Sequence, residues 1–288
     1  MKRKSARSNL VCAKTNFRTT IILALWLLSM LGACYEPEEG CLDVTATNFE
    51  ASADEGCGDC CNYPVLQLQV SHGYGDTTLR YGDPYDLDGQ PFRIRQFIYY
   101  ISELRLKNSS ETVGVVDSIQ LSLPNSLPSE QTIEDNFTII SPDFAKFSYD
   151  IGTFRSTSNF DSLRFFVGVT APANEADVAA ISTGSSDLAI SSDSLYSESD
   201  GYIFNRIRFQ KDTITGSDTL MLEVVGTEQL VEIVLPFKEE ITLGQPVCVK
   251  LRIDYKEWLK GIDFATDNQS DMISKIVSNT PDVFSVIE

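Results

Sequence analysis

The sequence predicts an all-β fold, an antiparallel β-sandwich or open barrel with one or two short helices, preceded by a small disulfide-stapled module. Three observations point there. The first is the run FRIRQFIYYISELRL at 92–106, rich in aromatic and β-branched residues. Phe92, Ile94, Leu104 and Leu106 alternate with Arg and Glu, and the centre, 97–101, is apolar on both faces. That is the signature of a strand covered on both sides. The second is recurrence. Strand-like stretches follow at 113–121, 162–169, 202–209, 219–225, 230–237 and 245–255, after a first at 65–70 carried by Val65, Leu66, Leu68 and Val70. Pro124, Pro128 and Gly216-Ser217-Asp218 punctuate them. The third is the scarcity of helix signals. One or two turns are expected at 174–181, entered after Pro172 with Glu175 and Asp177 early. Another helix is expected at 270–277, where Met272, Ile273, Ile276 and Val277 have helical spacing, and a turn at 254–260 around Trp258.

In the last long strand, Val247, Val249, Leu251 and Ile253 share one face. Cys248, Lys250, Arg252 and Asp254 share the other. Roughly 220 residues are enough for one domain with a sizeable core.

The N-terminus reads as an address. Lys2, Arg3, Lys4, Arg7, Lys14 and Arg18 precede an apolar run at 21–28 that is short for a membrane span. Leu31-Gly32-Ala33-Cys34 then resembles the bacterial lipobox. The expectation is a lipoprotein signal peptide over 1–33, cleavage before Cys34 and acylation of that cysteine. An ordinary secretory signal is the alternative. The expected organisation is therefore 1–33 signal peptide, 34–64 lipidated linker and Cys-rich module, 65–288 β-domain. Glu36, Glu38 and Glu39 resemble the acidic export signal of Bacteroidetes surface lipoproteins, with a plain solvated linker as the alternative. The expected location is the bacterial outer membrane, on its periplasmic or surface-exposed side.

Charge narrows the partners. Removing the six signal-peptide bases leaves 17 Lys and Arg against 41 Asp and Glu, a net of −24. Such a chain repels phosphate backbones, so nucleic acid is excluded as a natural partner. Membrane association should rest on the acyl chains.

Seven cysteines are present. Cys12 leaves with the signal and Cys34 carries lipid. Cys41, Cys57, Cys60 and Cys61 cluster, which in an oxidising compartment reads as disulfides, with three pairings open. The adjacent Cys60 and Cys61 should each reach back to Cys41 or Cys57. Zinc at Cys57-Gly58-Asp59-Cys60 is the rival reading, although no second spaced pair or histidine follows. Asp43, Asn48, Asp54 and Asp59 offer oxygens for calcium, but not at EF-hand spacing. About 25 residues cannot bury a core, so staples replace one. The segment from Gly40 to Pro64 resembles the short GC-x-D-x-x-A-x-N-[YF] … C-x-[YF] repeat of exported Bacteroidetes proteins. Cys248 is the odd thiol.

Catalytic signals are absent. The chain holds one histidine, His72. There is no G-x-S-x-G elbow, no H-E-x-x-H, no phosphate-binding glycine loop and no G-x-G-x-x-G. A multi-histidine metal site is impossible. A carboxylate pair for glycoside hydrolysis has 41 acids to draw on, but nothing singles out two. The sequence points away from an enzyme. His72 lies just after the first strand pattern. It reads either as a loop-edge histidine bonded to backbone or as a metal ligand.

Four stretches in order resemble the MbnP-like family of exported copper-binding proteins. They are Val70-Ser71-His72 with Tyr81-Gly82; the 94–106 strand, similar to a "YYIS-x-L-x-L" pattern; 163–174 followed by Leu195-Tyr196 and Gly201-Tyr202-Ile203-Phe204; and 249–254 with Trp258, Ile276, Asn279 and Val283-Phe284. The resemblance implies a β-sandwich-like exported protein that binds copper. It implies a partner dihaem oxidase that converts a tryptophan to kynurenine. It makes His72 a candidate copper ligand. The family's stretch before "GY" is similar to M-[YF]-W-S-W-x-S-G-Y, and here Ser197 and Ser199 occupy both tryptophan positions. No modified tryptophan is expected, and the oxidase's target is missing. Cys248 and Asp200 are the further candidate ligands. One imidazole plus carboxylates makes a weak, unselective copper site. The expectation is thus a degraded or remodelled copper site, and the alternative is a metal-free binding or adhesion module of the cell envelope.

Overall fold

The computed structural model describes residues 36–142, 146–181, 186–189, 195–214 and 216–287. The expected signal peptide, Cys12 and Cys34 lie outside the described residues. The strands are β1 Glu39–Gly40, β2 Glu55–Gly56, β3 Val65–Tyr74, β4 Thr77–Thr78, β5 Pro84–Leu87, β6 Gln90–Lys107, β7 Thr112–Val113, β8 Ser118–Ser122 and β9 Glu130–Glu134. They continue with β10 Thr138–Ile140, β11 Ser148–Thr153, β12 Phe160–Val167, β13 Tyr196–Ser197, β14 Gly201–Gln210, β15 Thr219–Val225, β16 Val231–Glu239, β17 Val247–Asp254 and β18 Phe284–Val286. Three short helices join them: α1 Ala171–Asn174, α2 Tyr255–Trp258 and α3 Gln269–Asn279.

Two sheets enclose the core. The larger has the path β13-β14-β6-β12-β16, with β5, β7 and β10 on β6 and β15 on β14. The smaller has the path β11-β3-β17-β18, with β4 on β3. Alternation decides which side chains enter. On β3, Leu66, Leu68 and Val70 are buried between half-exposed glutamines, so they face the larger sheet. On β17, Val247, Val249, Leu251 and Ile253 do the same.

β6 is the longest strand, and its pattern breaks at Glu103, which has φ 50°. Before it, Phe97, Tyr99 and Ile101 face inward; after it, Leu104 and Leu106 do. The one-residue slip against β12 is a β-bulge that keeps both halves packed on one core. The doubly apolar centre has a physical reason. The Tyr100 ring points to the outer face, where it meets Tyr202 at 5.6 Å and its hydroxyl donates to the Asp187 carbonyl at 3.1 Å. The Tyr202 hydroxyl donates to the Leu188 carbonyl at 2.5 Å. Asp187 and Leu188 thus lie over the outer face of the sheet.

Four sequence expectations change. β3 and β17 pair in parallel, so the smaller sheet is mixed rather than wholly antiparallel. The first strand runs on to Tyr74, so His72 lies inside a strand and not at a loop edge. The stretch 113–121 divides into β7 and β8 around Gly114, where a Cβ would sit 2.3 Å from the Glu134 carboxylate. The first helix begins at Ala171 with Pro172 in its opening turn, and a separate 3-10 turn, Val178–Ala180, follows it. Pro172 starts the helix rather than preceding it, because its missing N–H costs nothing in a first turn.

The N-terminal module holds two disulfides, Cys41–Cys61 and Cys57–Cys60. Cys60 and Cys61 therefore reach back to different partners, as their adjacency requires. The module is fastened to the β-domain. The Arg155 guanidinium pairs with the Asp43 carboxylate and lies 4.0 Å from the Tyr63 ring centre. Gly244 packs so closely on the Ala46 carbonyl that a Cβ there would sit 2.7 Å from it. The Asp43 carboxyl is held down to a pKa of about 2, first by the Thr45 hydroxyl and backbone N–H.

Candidate functional site around His72

His72 projects from β3 on the same side as Leu68 and Val70, into the sandwich. It is half-buried. Its Nδ1 lies 2.9 Å from the Tyr255 hydroxyl. Tyr255 is placed by α2, which starts directly after β17; Asp254 caps that helix by accepting from the Lys256 N–H. The Tyr255 ring stacks edge-on to Phe97 at 4.8 Å, and Phe97 lies 4.6 Å from Trp258. Tyr99 and Phe284 close on Trp258 at 4.9 and 5.6 Å. Trp258 is fully buried, and its indole N–H donates to Thr280 Oγ1 at 2.9 Å. These residues come from β3, β6, the α2 segment and β18, so the whole sandwich converges on this aromatic cluster.

Electrostatically the imidazole is isolated. Burial lowers its pKa to about 4, so it is neutral at physiological pH. A neutral ring has one donor and one acceptor nitrogen. Nδ1 uses Tyr255; Nε2 is buried and has no hydrogen-bond partner among the described residues. Burial likewise raises the hydroxyls of Tyr99 and Tyr255 well above the ordinary phenol range, and both stay protonated. The Tyr99 hydroxyl neighbours that of Tyr255 without a well-formed hydrogen bond.

The other candidate ligands are elsewhere. In the parallel β3–β17 pair, His72 faces Ile253 and Cys248 faces Gln67. Five residues of strand separate the two by about 16 Å. Cys248 also points to the opposite, outer face, beside Lys250 and Arg252, and takes no part in either disulfide. Asp200 precedes β14, whose Ile207 is opposite Phe97. Seven residues of strand set Asp200 about 23 Å from that level.

Asp200 belongs to the hairpin between β13 and β14. Asp193 and Ser194, which open the acidic stretch, lie outside the described residues. Tyr196 pairs with Tyr202 and Ser197 with Gly201, leaving a three-residue turn with Gly201 at φ 77°. The Asp200 carboxylate accepts from Ser197 Oγ at 3.0 Å and Ser199 Oγ at 2.5 Å. The Ser199 hydroxyl first, then that of Ser197, lowers its pKa. Ser197 and Ser199 therefore close their own turn.

One group of three or more His, Cys, Asp or Glu donors closes up among the described residues: the sulfurs of Cys57, Cys60 and Cys61, within 4.8 Å of one another. Both disulfides draw on these sulfurs, so the C-x-x-C spacing serves a bridge. Sequence reasoning did not single out an open acidic cleft of about 910 Å³ that includes Asp117, Asp135, Asp150 and Asp187. They come from four separate segments, so no local spacing marks them. Each accepts a structural hydrogen bond: Asp117 from Thr153, Asp135 from Ser186, Asp150 from Gln67 and Asp187 from the Ile139 N–H. Burial first, with Asp187 and Asp117 nearby, raises the Asp135 carboxyl.

Fold and site together define a two-sheet β-domain with a stapled N-terminal module and a single inward-facing imidazole. The chain belongs to the MbnP family, whose model matches residues 63–275. The solved structure of MbnP from Methylosinus trichosporium is similar at 12% identity, covering 72% of this chain and 86% of that one with a TM-score of 0.44. Comparison with curated proteins gives no match. The donor set does not fit a copper centre built around His72. The chain has one imidazole, and the described residues bring no thiolate or carboxylate cluster to it.

Proposed function

We propose that the protein is a lipid-anchored envelope lipoprotein whose MbnP domain has lost a full copper site and works as a binding module rather than a tight copper carrier. The observation that carries this reading is the isolation of His72. It is the only histidine in the chain, with a tyrosine hydroxyl on one nitrogen and, among the described residues, no hydrogen-bond partner on the other. One imidazole holds Cu(II) weakly and without selectivity. Ser197 and Ser199, at the positions where the family resemblance places tryptophans, support the same reading, since they bond each other and Asp200. The lipobox-like Leu31-Gly32-Ala33-Cys34 supports the anchor.

The experiment is purification from membranes of the native host, followed by elemental analysis and mass spectrometry of the N-terminal peptide. The reading expects an acylated Cys34 and far less than one copper per chain. Stoichiometric copper overturns the loss of the site, and an unmodified Cys34 overturns the anchor.

A further inference from the structure

The edges of the two sheets meet along one side. There β16, which among the described residues pairs only with β12, lies against the short strand β18, and the two border a groove of about 690 Å³. A volume of this size falls in the range of roughly 300–1,000 Å³ typical of small-ligand sites. Register explains why its walls are apolar. Leu235 lies opposite Leu163, which is fully buried, so it belongs to the inner face of the larger sheet; Phe237 is two residues on. Phe284 and Val286 lie opposite Ile253 and Leu251, on the inner face of the smaller sheet. The groove is therefore a seam through which core-facing side chains are reached from outside.

Its charge runs against that of the molecule. Lys238 and Lys250 line the groove and are exposed. Neither makes an ion pair among the described residues, where the lysines that do are Lys260 and Lys275. In a chain with 41 acids and 23 bases, two unpaired ammonium groups on one apolar groove complement an anion that carries a hydrocarbon tail. Lysine stems also extend an apolar wall while their heads stay in water.

We propose that this seam binds a single-chain anionic amphiphile, a long-chain carboxylate, with its head held by Lys238 and Lys250 and its tail against Leu235, Phe237 and Val286. The site is independent of His72 and of any metal. Calorimetric titration of the mature chain with dodecanoate, below its micelle threshold, tests it. Saturable one-to-one binding is expected, with neutral dodecanol and short octanoate each at least about tenfold weaker. The Lys238→Glu/Lys250→Glu variant should also lose at least about tenfold, while Lys107→Glu/Lys211→Glu, with the same change in net charge, should bind as the parent does. All four side chains are exposed, so both variants should keep the parent's near-UV circular dichroism. Absence of saturable binding, equal affinity for dodecanol, or equal weakening in both double variants overturns the proposal.

Discussion

His72 shows how much one residue's setting decides. Its type alone made it a candidate ligand, and its neighbours make it a half-buried neutral base. Inside the fold its pKa is about 4, and in the unfolded chain it returns to about 6.5. Below about 6.5 the unfolded chain takes up a proton that the folded one refuses, so stability falls as the pH drops towards 4. The loss is at most about 3 kcal/mol. A His72→Gln variant should lack that part of the acid sensitivity, read as the difference between urea-unfolding free energies at pH 7 and pH 4.5. An identical pH dependence in both proteins contradicts the burial assigned to the ring. Tyr255→Phe removes the partner of Nδ1 and leaves the ring with two unsatisfied nitrogens. It should cost about 1–3 kcal/mol at pH 7. A change under a few tenths would mean that the hydrogen bond does not form. Sequence placed the ligand candidates by type but could not show that His72 and Cys248 face opposite sides of one sheet. That depends on the parallel pairing of strands almost two hundred positions apart.

Elements were legible where local pattern and tertiary setting agree. The centre of β6 reads as doubly covered, and it is. β14, β15, β16 and β17 fall where alternating residues place them. β10, β11 and β18 were invisible because each is short and takes its conformation from a longer partner. The extension of β3 to Tyr74 was hidden by Ser71, His72 and Gly73, which break the apolar alternation but still pair with β17. The join between β12 and α1 offers a test of element packing. Gly168 has φ 121°, and a Cβ there would lie 2.5 Å from the Phe204 ring. Both terms oppose a side chain, so Gly168→Ala should lower stability by more than about 1 kcal/mol, measured by chemical denaturation. The module contact offers another. Arg155→Ala removes the Asp43 pair and the stacking on Tyr63. These contacts are partly exposed to solvent, so global stability should move by less than about 1 kcal/mol. Hydrogen exchange in residues 38–62 should nevertheless speed up relative to the β-domain. Unchanged exchange there would mean that other contacts, such as Gly244 on Ala46 and the Phe154 N–H on the Pro64 carbonyl, fix the module.

The whole molecule is a mixed-strand sandwich with a covalently stapled appendix. The all-β class and the disulfide cluster were legible because composition, alternation and cysteine spacing report them directly. Reduction should separate the two parts. Dithiothreitol should release residues 38–62 to proteolysis while the β-domain keeps its cooperative unfolding, since the described bridges lie wholly within the module. Loss of the β-domain transition on reduction contradicts this division. The isolation of His72 was partly legible too: a single histidine is a property of the sequence, whereas its separation from Asp200 and Cys248 is a property of the fold. The most direct test of the central claim is a copper titration of the mature protein beside its His72→Gln variant, with a competing chelator to fix the affinity. The account predicts micromolar or weaker binding (roughly −8 kcal/mol or less in magnitude) that His72→Gln reduces or abolishes. Stoichiometric binding at nanomolar affinity or tighter would contradict it, and its survival in the variant would place the copper site away from His72.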